Sequence, residues 1–273
     1  MPRFAANLST MFGERPFLER FAAARAAGFT AVECQFPYEA TAAEIKARLD
    51  EHGLELVLFN TPPGDFAAGE RGLAGLPGRE DDFARALDKC LAYAETLGTD
   101  MLHVMAGVQP NDARPEGCLE VYRKNLERAC QAAQSSGRLC LIEPINTRDI
   151  PGYLLNTPEE AAALIAELHQ DALRLQFDFY HTQIMAGDLA RRFERHQDIV
   201  AHVQIAGVPE RQEPDVGEIN YPYLFELLDH HRYEGWVGCE YFPAAKTEDG
   251  LGWAYRFGIR PPDTTLATGG VTV

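Results

Sequence analysis

Four side chains that offer oxygen each close a short apolar run: Leu141-Ile142-Glu143, Gln176-Phe177-Asp178, His202-Val203-Gln204 and Gly238-Cys239-Glu240. If these runs are strands of one parallel sheet, three carboxylates and an amide meet at one edge. Three negative charges that close repel strongly at low dielectric, so a bound cation is the natural way to hold them together. All four groups are oxygen donors, which favours a hard divalent ion, Mg²⁺ or Mn²⁺, over zinc. Taken singly, each acid could equally be a strand-end carboxylate bonded to a loop amide. Four in register make the metal centre the better reading. His181 follows Asp178 by three residues and can reach the same edge, as a donor to a substrate hydroxyl or carbonyl. A substrate carboxylate would need a cation, for which Arg211, Arg71 and Arg79 stand in suitable loops. Most arginines are solvated, and these three differ from the rest only in position.

The elements that must position these groups are legible by period. Strand-like runs fall at 4–7, 31–34, 55–60, 101–105, 139–143, 173–178, 199–204 and 236–240, and amphipathic stretches lie between them. The first such stretch, 16–27, places Phe17, Phe21, Ala24 and Ala27 on one face and stops at Gly28. Thr41 with Glu44 forms a capping box, and Gly53 ends that helix. Thr157-Pro158-Glu159-Glu160 supplies an N-cap, a first-turn proline and two acids. Parallel strands need crossover helices, and eight of them close a sheet, so the expected fold is α/β, a single (β/α)₈ TIM barrel over 1–258. The tail, 259–273, lacks helical period and reads as a poorly ordered appendage. An open doubly wound sheet would usually show a Gly-rich phosphate loop after its first strand. Here that strand runs into Asn7-Leu8-Ser9-Thr10, and no such motif occurs in the chain.

In a barrel the C-terminal strand ends form the mouth, which is where the four oxygen donors fall. The stretch 62–78 is too rich in glycine for a helix and too long for a plain connection, so it reads as a lid in which Phe66 and Leu73 cover the site.

Composition narrows the function classes. The chain has 273 residues and a formal charge of −16, which sets up a field repulsive to nucleic acid and to anionic lipid. No stretch approaches the ~20 apolar residues of a membrane span, and the N-terminus lacks a signal-peptide core. The six cysteines form no C-x-x-C pair and fall within predicted elements, as expected of reduced thiols in the cytoplasm. No nucleic acid and no membrane is expected as a partner. A homo-oligomer is left open.

Longer strings carry a resemblance. Arg3 to Ser9, Phe36-Pro37-Tyr38, Ala68-Gly69-Glu70-Arg71-Gly72, Leu76-Pro77-Gly78-Arg79-Glu80, Ile142-Glu143-Pro144-Ile145-Asn146, Gly217-Glu218-Ile219-Asn220-Tyr221 and Trp236 to Tyr241 are spread over nearly the whole barrel. With them the chain resembles the hydroxypyruvate isomerase family, xylose-isomerase-like TIM barrels. His103 to Val108 and His202 to Arg211 look closer to its 2-oxotetronate isomerase branch. The resemblance implies metal ligands at Glu143, Asp178, Gln204 and Glu240, with Glu143 and Glu240 as the proton-transferring pair. It implies an intramolecular oxidoreductase that isomerises a small hydroxy-oxo acid through an enediolate. The substrate expected first is 2-oxotetronate, with hydroxypyruvate isomerisation or sugar 3-epimerisation as alternatives. One departure stands out: where the family usually has Glu-Tyr-Lys-Pro after strand eight, this chain has Glu240-Tyr241-Phe242-Pro243, without the cation. Two other classes compete. Related barrels include metal-dependent endonucleases, against which the net charge and the scarcity of histidine at strand ends both count. A non-catalytic binding barrel could hold metal without turnover.

Overall fold

The computed structural model describes residues 1–110 and 114–260. Eight strands, β1 (Arg3–Asn7), β2 (Ala31–Cys34), β3 (Glu55–Asn60), β4 (Met101–His103), β5 (Leu139–Ile142), β6 (Leu173–Asp178), β7 (Val200–Ile205) and β8 (Trp236–Cys239), follow one another around a closed barrel. Every neighbouring pair is parallel, and β1 closes against β8. The expected TIM barrel is what forms. Three expected strands overrun: β4 stops at His103, β5 at Ile142 and β8 at Cys239, so Glu143 and Glu240 stand one residue beyond the ladder.

Helices wrap the outside. Those flanking the first strands are α1 (Phe17–Ala26), α2 (Ala42–His52) and α3 (Glu80–Leu97). They are followed by α4 (Pro115–Gln134), α5 (Pro158–Leu168), α6 (Phe179–Met185), α7 (Leu189–His196) and α8 (Tyr221–His230). Capping boxes open α2 at Thr41 and α5 at Thr157, and Gly53 ends α2 in the left-handed region. Helix α4 is the longest of these and is not apolar enough to span a membrane, nor is any other described helix. All six cysteines are buried and unpaired.

Alternation along the strands builds the barrel interior in layers, because residues two apart share a face. Ala5, Ala31, Leu141 and Trp236 belong to a small apolar cluster distinct from the main core, with Met101 packed against it. Two residues further along each strand, the same face carries Asn7, Glu33, Glu143, Gly238 and His103. An apolar floor thus underlies a polar layer. The register completes it by pairing Asp178 with Gln204, and Gln204 with Gly238.

Two residues after 258 pack against the barrel: Ile259 is buried, and a Cβ at Gly28 would lie 2.3 Å from the Arg260 carbonyl oxygen. The rest of the expected tail, 261–273, lies outside the described residues.

Candidate active site

At the barrel mouth Glu143, Asp178, His181 and Glu240 each bring one ligand-type atom within 4.8 Å of the others, and all four residues are buried. Asp178 ends β6 and caps α6, its Oδ1 accepting a hydrogen bond from Tyr180 N at 2.6 Å. Because α6 begins at once, His181 lies in its first turn, with Nε2 3.6 Å from Asp178 Oδ2 and 3.8 Å from Glu143 Oε1. Glu240 Oε1 accepts from Asn7 Nδ2 at 3.0 Å and Gln35 Nε2 at 2.9 Å, and its Oε2 pairs with Arg211 at 2.5 Å.

The tautomer of His181 is set by Asn146. Asn146 Oδ1 accepts from Asp149 N at 2.7 Å, which turns the Asn146 amide nitrogen toward His181 Nδ1, 2.6 Å away; the Asn146 backbone N–H points at the same atom. Two donors face Nδ1, so the ring proton sits on Nε2. An Nε2–H cannot bind a cation. It can donate to a carboxylate or to a substrate oxygen, so His181 belongs to the cluster by position and to the donors by chemistry.

Gln204 is buried beside Asp178, its Oε1 accepting from Gln176 Nε2 at 2.6 Å and its Nε2 donating to Glu33 at 2.8 Å. An amide oxygen has two lone pairs, so one remains.

Electrostatics favour a cation here. Burial, then the neighbouring Glu240 and Asp178, push the Glu143 carboxyl well above the usual carboxylate range. Burial raises Asp178 to about 7, against the opposing pull of Arg211, and raises Glu240 as well. Burial also keeps His103 neutral, down at about 3, and with the Arg211 charge holds His181 well below its ordinary value. The carboxylates of the cluster outnumber the one guanidinium that pairs with it, an excess of negative charge that a bound cation would balance. Glu143 Oε1 is buried with no hydrogen-bond partner, an expensive state unless another group satisfies it. The residues therefore fit a metal ion, which Glu143, Asp178 and Glu240 could hold.

Above the cluster opens a cavity of about 530 Å³, bounded by Glu143, His181, Glu240, Arg211, Arg71 and Phe242 among others. The expected substrate arginines fare differently. Arg211 reaches the wall, but its guanidinium is committed to Glu240 and faces Asp149 at 3.5 Å, leaving only Nε without a partner. Arg71 lines the cavity, stacked 3.7 Å over the Phe66 ring while donating to the Phe66 and Glu70 carbonyls. Arg79 does not reach it: its charge is spent on Glu70 and Asp82 at the start of α3. A third lining arginine, Arg148, went unanticipated; it donates to Pro209 O at 3.0 Å and to Tyr180 Oη at 3.3 Å. Phe242 sits at the cavity edge, half exposed, where a lysine was expected from the resemblance.

The segment 62–78 divides in two. Phe66 is 49% exposed and leans on Phe36 at the cavity rim, as a covering side chain should. Leu73 and Leu76 are instead buried, and Gly75 N donates to Ala106 O at 2.7 Å. Leu73 anchors the loop to the barrel and covers nothing. Gly72 allows this approach, because a Cβ there would meet the Met105 carbonyl oxygen at 2.5 Å.

The profile of the xylose isomerase-like TIM barrel family matches residues 21–257. The chain is 57% identical over 253 residues to a 2-oxo-tetronate isomerase of Cupriavidus necator, covering 93% of this chain and 97% of that one. It is 43% identical to the hydroxypyruvate isomerase of Escherichia coli K12, covering 93% of this chain and 98% of that one. A crystal structure from Brucella melitensis, described as an AP endonuclease of family 2, superposes with a TM-score of 0.92 at 48% identity, covering 94% of this chain and all of that one. The closed barrel, the acidic mouth and these matches together identify the chain as a member of the xylose isomerase-like TIM barrel family, within its group of hydroxypyruvate and 2-oxo-tetronate isomerases.

Proposed function

We propose that this protein interconverts 2-oxotetronate and 3-oxotetronate, using one Mn²⁺ or Mg²⁺ ion. The observation that carries the proposal is the convergence of three buried carboxylates, paired with a single guanidinium, two of which, Glu143 and Glu240, line a cavity of small-molecule size. The 57% identical relative from Cupriavidus necator supports the choice of substrate.

Isomerisation moves a proton from C3 to C2 while the two oxygens exchange carbonyl and hydroxyl character, through an enediolate. A bound divalent ion supplies electrostatic stabilisation of that anion. Glu143, Asp178, Gln204 and Glu240 would hold it. Glu240 and Glu143 follow strands β8 and β5, three strands apart around the barrel, so they reach the substrate from different directions, one to take the C3 proton and the other to deliver a proton to C2. Arg211 steadies Glu240 by a charge-assisted bond. His181 Nε2–H points into the same space and donates to the oxygen that gains charge. Arg71 or Arg148 faces the substrate carboxylate from the cavity wall.

Hydroxypyruvate undergoes the same shift and differs by lacking the terminal CH₂OH, so it is the runner-up substrate, as the Escherichia coli relative suggests. The net charge of −16 counts against a nucleic acid substrate, whatever the description of the Brucella structure. An acidic chain without disulfides suits the cytoplasm. Incubation with 2-oxotetronate and with hydroxypyruvate in parallel, followed by NMR with and without chelator, is the test. Turnover of neither, by protein reloaded with Mn²⁺, would refute the proposal.

A further inference from the structure

Beneath the mouth lies a carboxylate that no step above employs. Glu33, on β2, is fully buried and does not line the cavity. Three donors converge on it: Asn7 Nδ2 at 2.9 Å and Gln204 Nε2 at 2.8 Å on Oε1, and His202 Nε2 at 2.6 Å on Oε2. The barrel leaves room for it at one place, since a Cβ on Gly238 would stand 2.3 and 2.4 Å from the two carboxylate oxygens.

A side-chain amide has a donor end and an acceptor end of nearly the same shape, so packing alone does not decide which way it points. A carboxylate decides it. Turned the other way, the Gln204 carbonyl oxygen would sit 2.8 Å from Glu33 Oε1, acceptor against acceptor between two buried residues. Facing Glu33 with its NH₂, Gln204 must send its oxygen to the opposite side, where Gln176 Nε2 supplies one hydrogen at 2.6 Å. Asn7 is held likewise, its Oδ1 accepting from Ser9 N at 2.9 Å while its NH₂ bridges Glu33 and Glu240 Oε1.

We infer that Glu33 is a positioning residue of the metal centre, which fixes the Gln204 amide so that its oxygen, and not its nitrogen, is offered to the ion. The inference rests on the proposed metal centre. Glu33 touches neither ion nor substrate, and it acts through Gln204 on one side and through Asn7 and Glu240 on the other. His202, with its proton on Nε2, keeps Glu33 on station.

Glu33→Gln keeps the shape but gives the side chain a donor as well as an acceptor, so Gln204 is no longer told which way to face. Partners that orient metal ligands are typically worth about 10- to 100-fold in affinity. In chelator-stripped full-length protein, Mn²⁺ titrated calorimetrically should bind to Glu33→Gln at least about tenfold more weakly than to wild type. The discriminating variant is the exchange Glu33→Gln with Gln204→Glu. It preserves total charge and the donor-acceptor pair with roles reversed, and a carboxylate at 204 offers oxygen in either orientation. Mn²⁺ affinity should return to within about threefold of wild type, a recovery that a purely structural defect would not show; this arm also decides the matter if the single variant fails to fold. Wild-type affinity in folded Glu33→Gln, or an exchange variant that folds yet binds no better than Glu33→Gln, would overturn the inference. No Mn²⁺ binding by wild type would instead refute the metal centre itself.

Discussion

Glu240→Gln separates proton transfer from everything else Glu240 does. The substitution keeps side-chain volume and one carbonyl oxygen, which can still accept from Asn7 and Gln35 at 3.0 and 2.9 Å. Its NH₂ then faces Arg211, where a 2.5 Å charged contact stood. With an effective dielectric of about 20, that pair attracts by roughly 7 kcal/mol. Most of this is offset, because the substitution also removes Glu240's repulsion of Asp178 and Glu143 and its own desolvation, and Arg211 still faces Asp149 at 3.5 Å. The net loss of stability should be about 1–3 kcal/mol, a fall in melting temperature of less than about 12 °C for a domain of this size. Turnover should fall much further, by ~10²- to 10⁴-fold for loss of a positioned base, with loss of a ligand charge adding to it. The assay is product formation by NMR in H₂O and in D₂O with metal content measured on the same sample. In D₂O the wild type should exchange label at the carbon that gives up a proton and at the carbon that receives one. Glu240→Gln should lose exchange at one of them, and Glu143→Gln at the other. Turnover of Glu240→Gln within about tenfold of wild type, with the ion still bound, would refute its role as proton carrier.

Chelation should abolish activity and lower the melting temperature, with Mn²⁺ or Mg²⁺ restoring both; full activity in verified metal-free protein would exclude the ion from the mechanism. The metal-free protein should also lose stability as pH rises. Asp178 titrates near 7 when folded against an ordinary 3.8, so the folded state holds the extra proton and its advantage disappears as pH passes through 7. Glu143 and Glu240 act in the same direction. Below about 6.5 the buried neutral His103 and His181 oppose the trend, since the unfolded chain then takes up their protons, so the clean window is the narrow one from about pH 6.5 to about 7, where Asp178 completes its ionisation. A melting temperature that climbs across this window without metal would contradict the assignment of cause. Gln204→His should keep the fold and an ion while shifting preference toward softer metals, because nitrogen replaces oxygen at one corner. A competition series with unchanged order would show that Gln204 does not touch the ion.

Much of the fold could be read because barrels repeat one simple instruction. Short apolar, β-rich runs alternating with amphipathic stretches gave all eight strands, and local chemistry at Thr41, Thr157 and Gly53 marked helix ends that depend on no distant contact. Strand ends were less secure. The ladder stops when neighbouring strands diverge at the mouth, a tertiary event, so β4 loses Val104 and Met105 although both are buried and apolar. The same limit explains the arginines. Arg79 and Arg71 are eight residues apart in one glycine-rich loop, and which of them faces the cavity follows from Leu73 burying itself beneath that loop.

The more instructive omission is in the first four strands. Asn7, Asn60 and His103 are the last residues of β1, β3 and β4, as polar and as strand-terminal as Asp178, and Glu33 stands one residue before the end of β2. The rule that picked out Glu143, Asp178, Gln204 and Glu240 selects them too. Asn7, Asn60 and His103 carry no charge that would call for an ion by themselves, and Glu33 does not close its strand. What such residues supply is direction. Asn7 turns its NH₂ to Glu240, Glu33 turns Gln204, and Asn146 turns the His181 proton inward. Direction depends on which donor faces which acceptor across the barrel, between residues as far apart in sequence as Asn7 and Glu240. The composition of the mouth is therefore local information, written strand by strand, whereas its polarity emerges when β1 closes against β8 and brings the two halves of the network together.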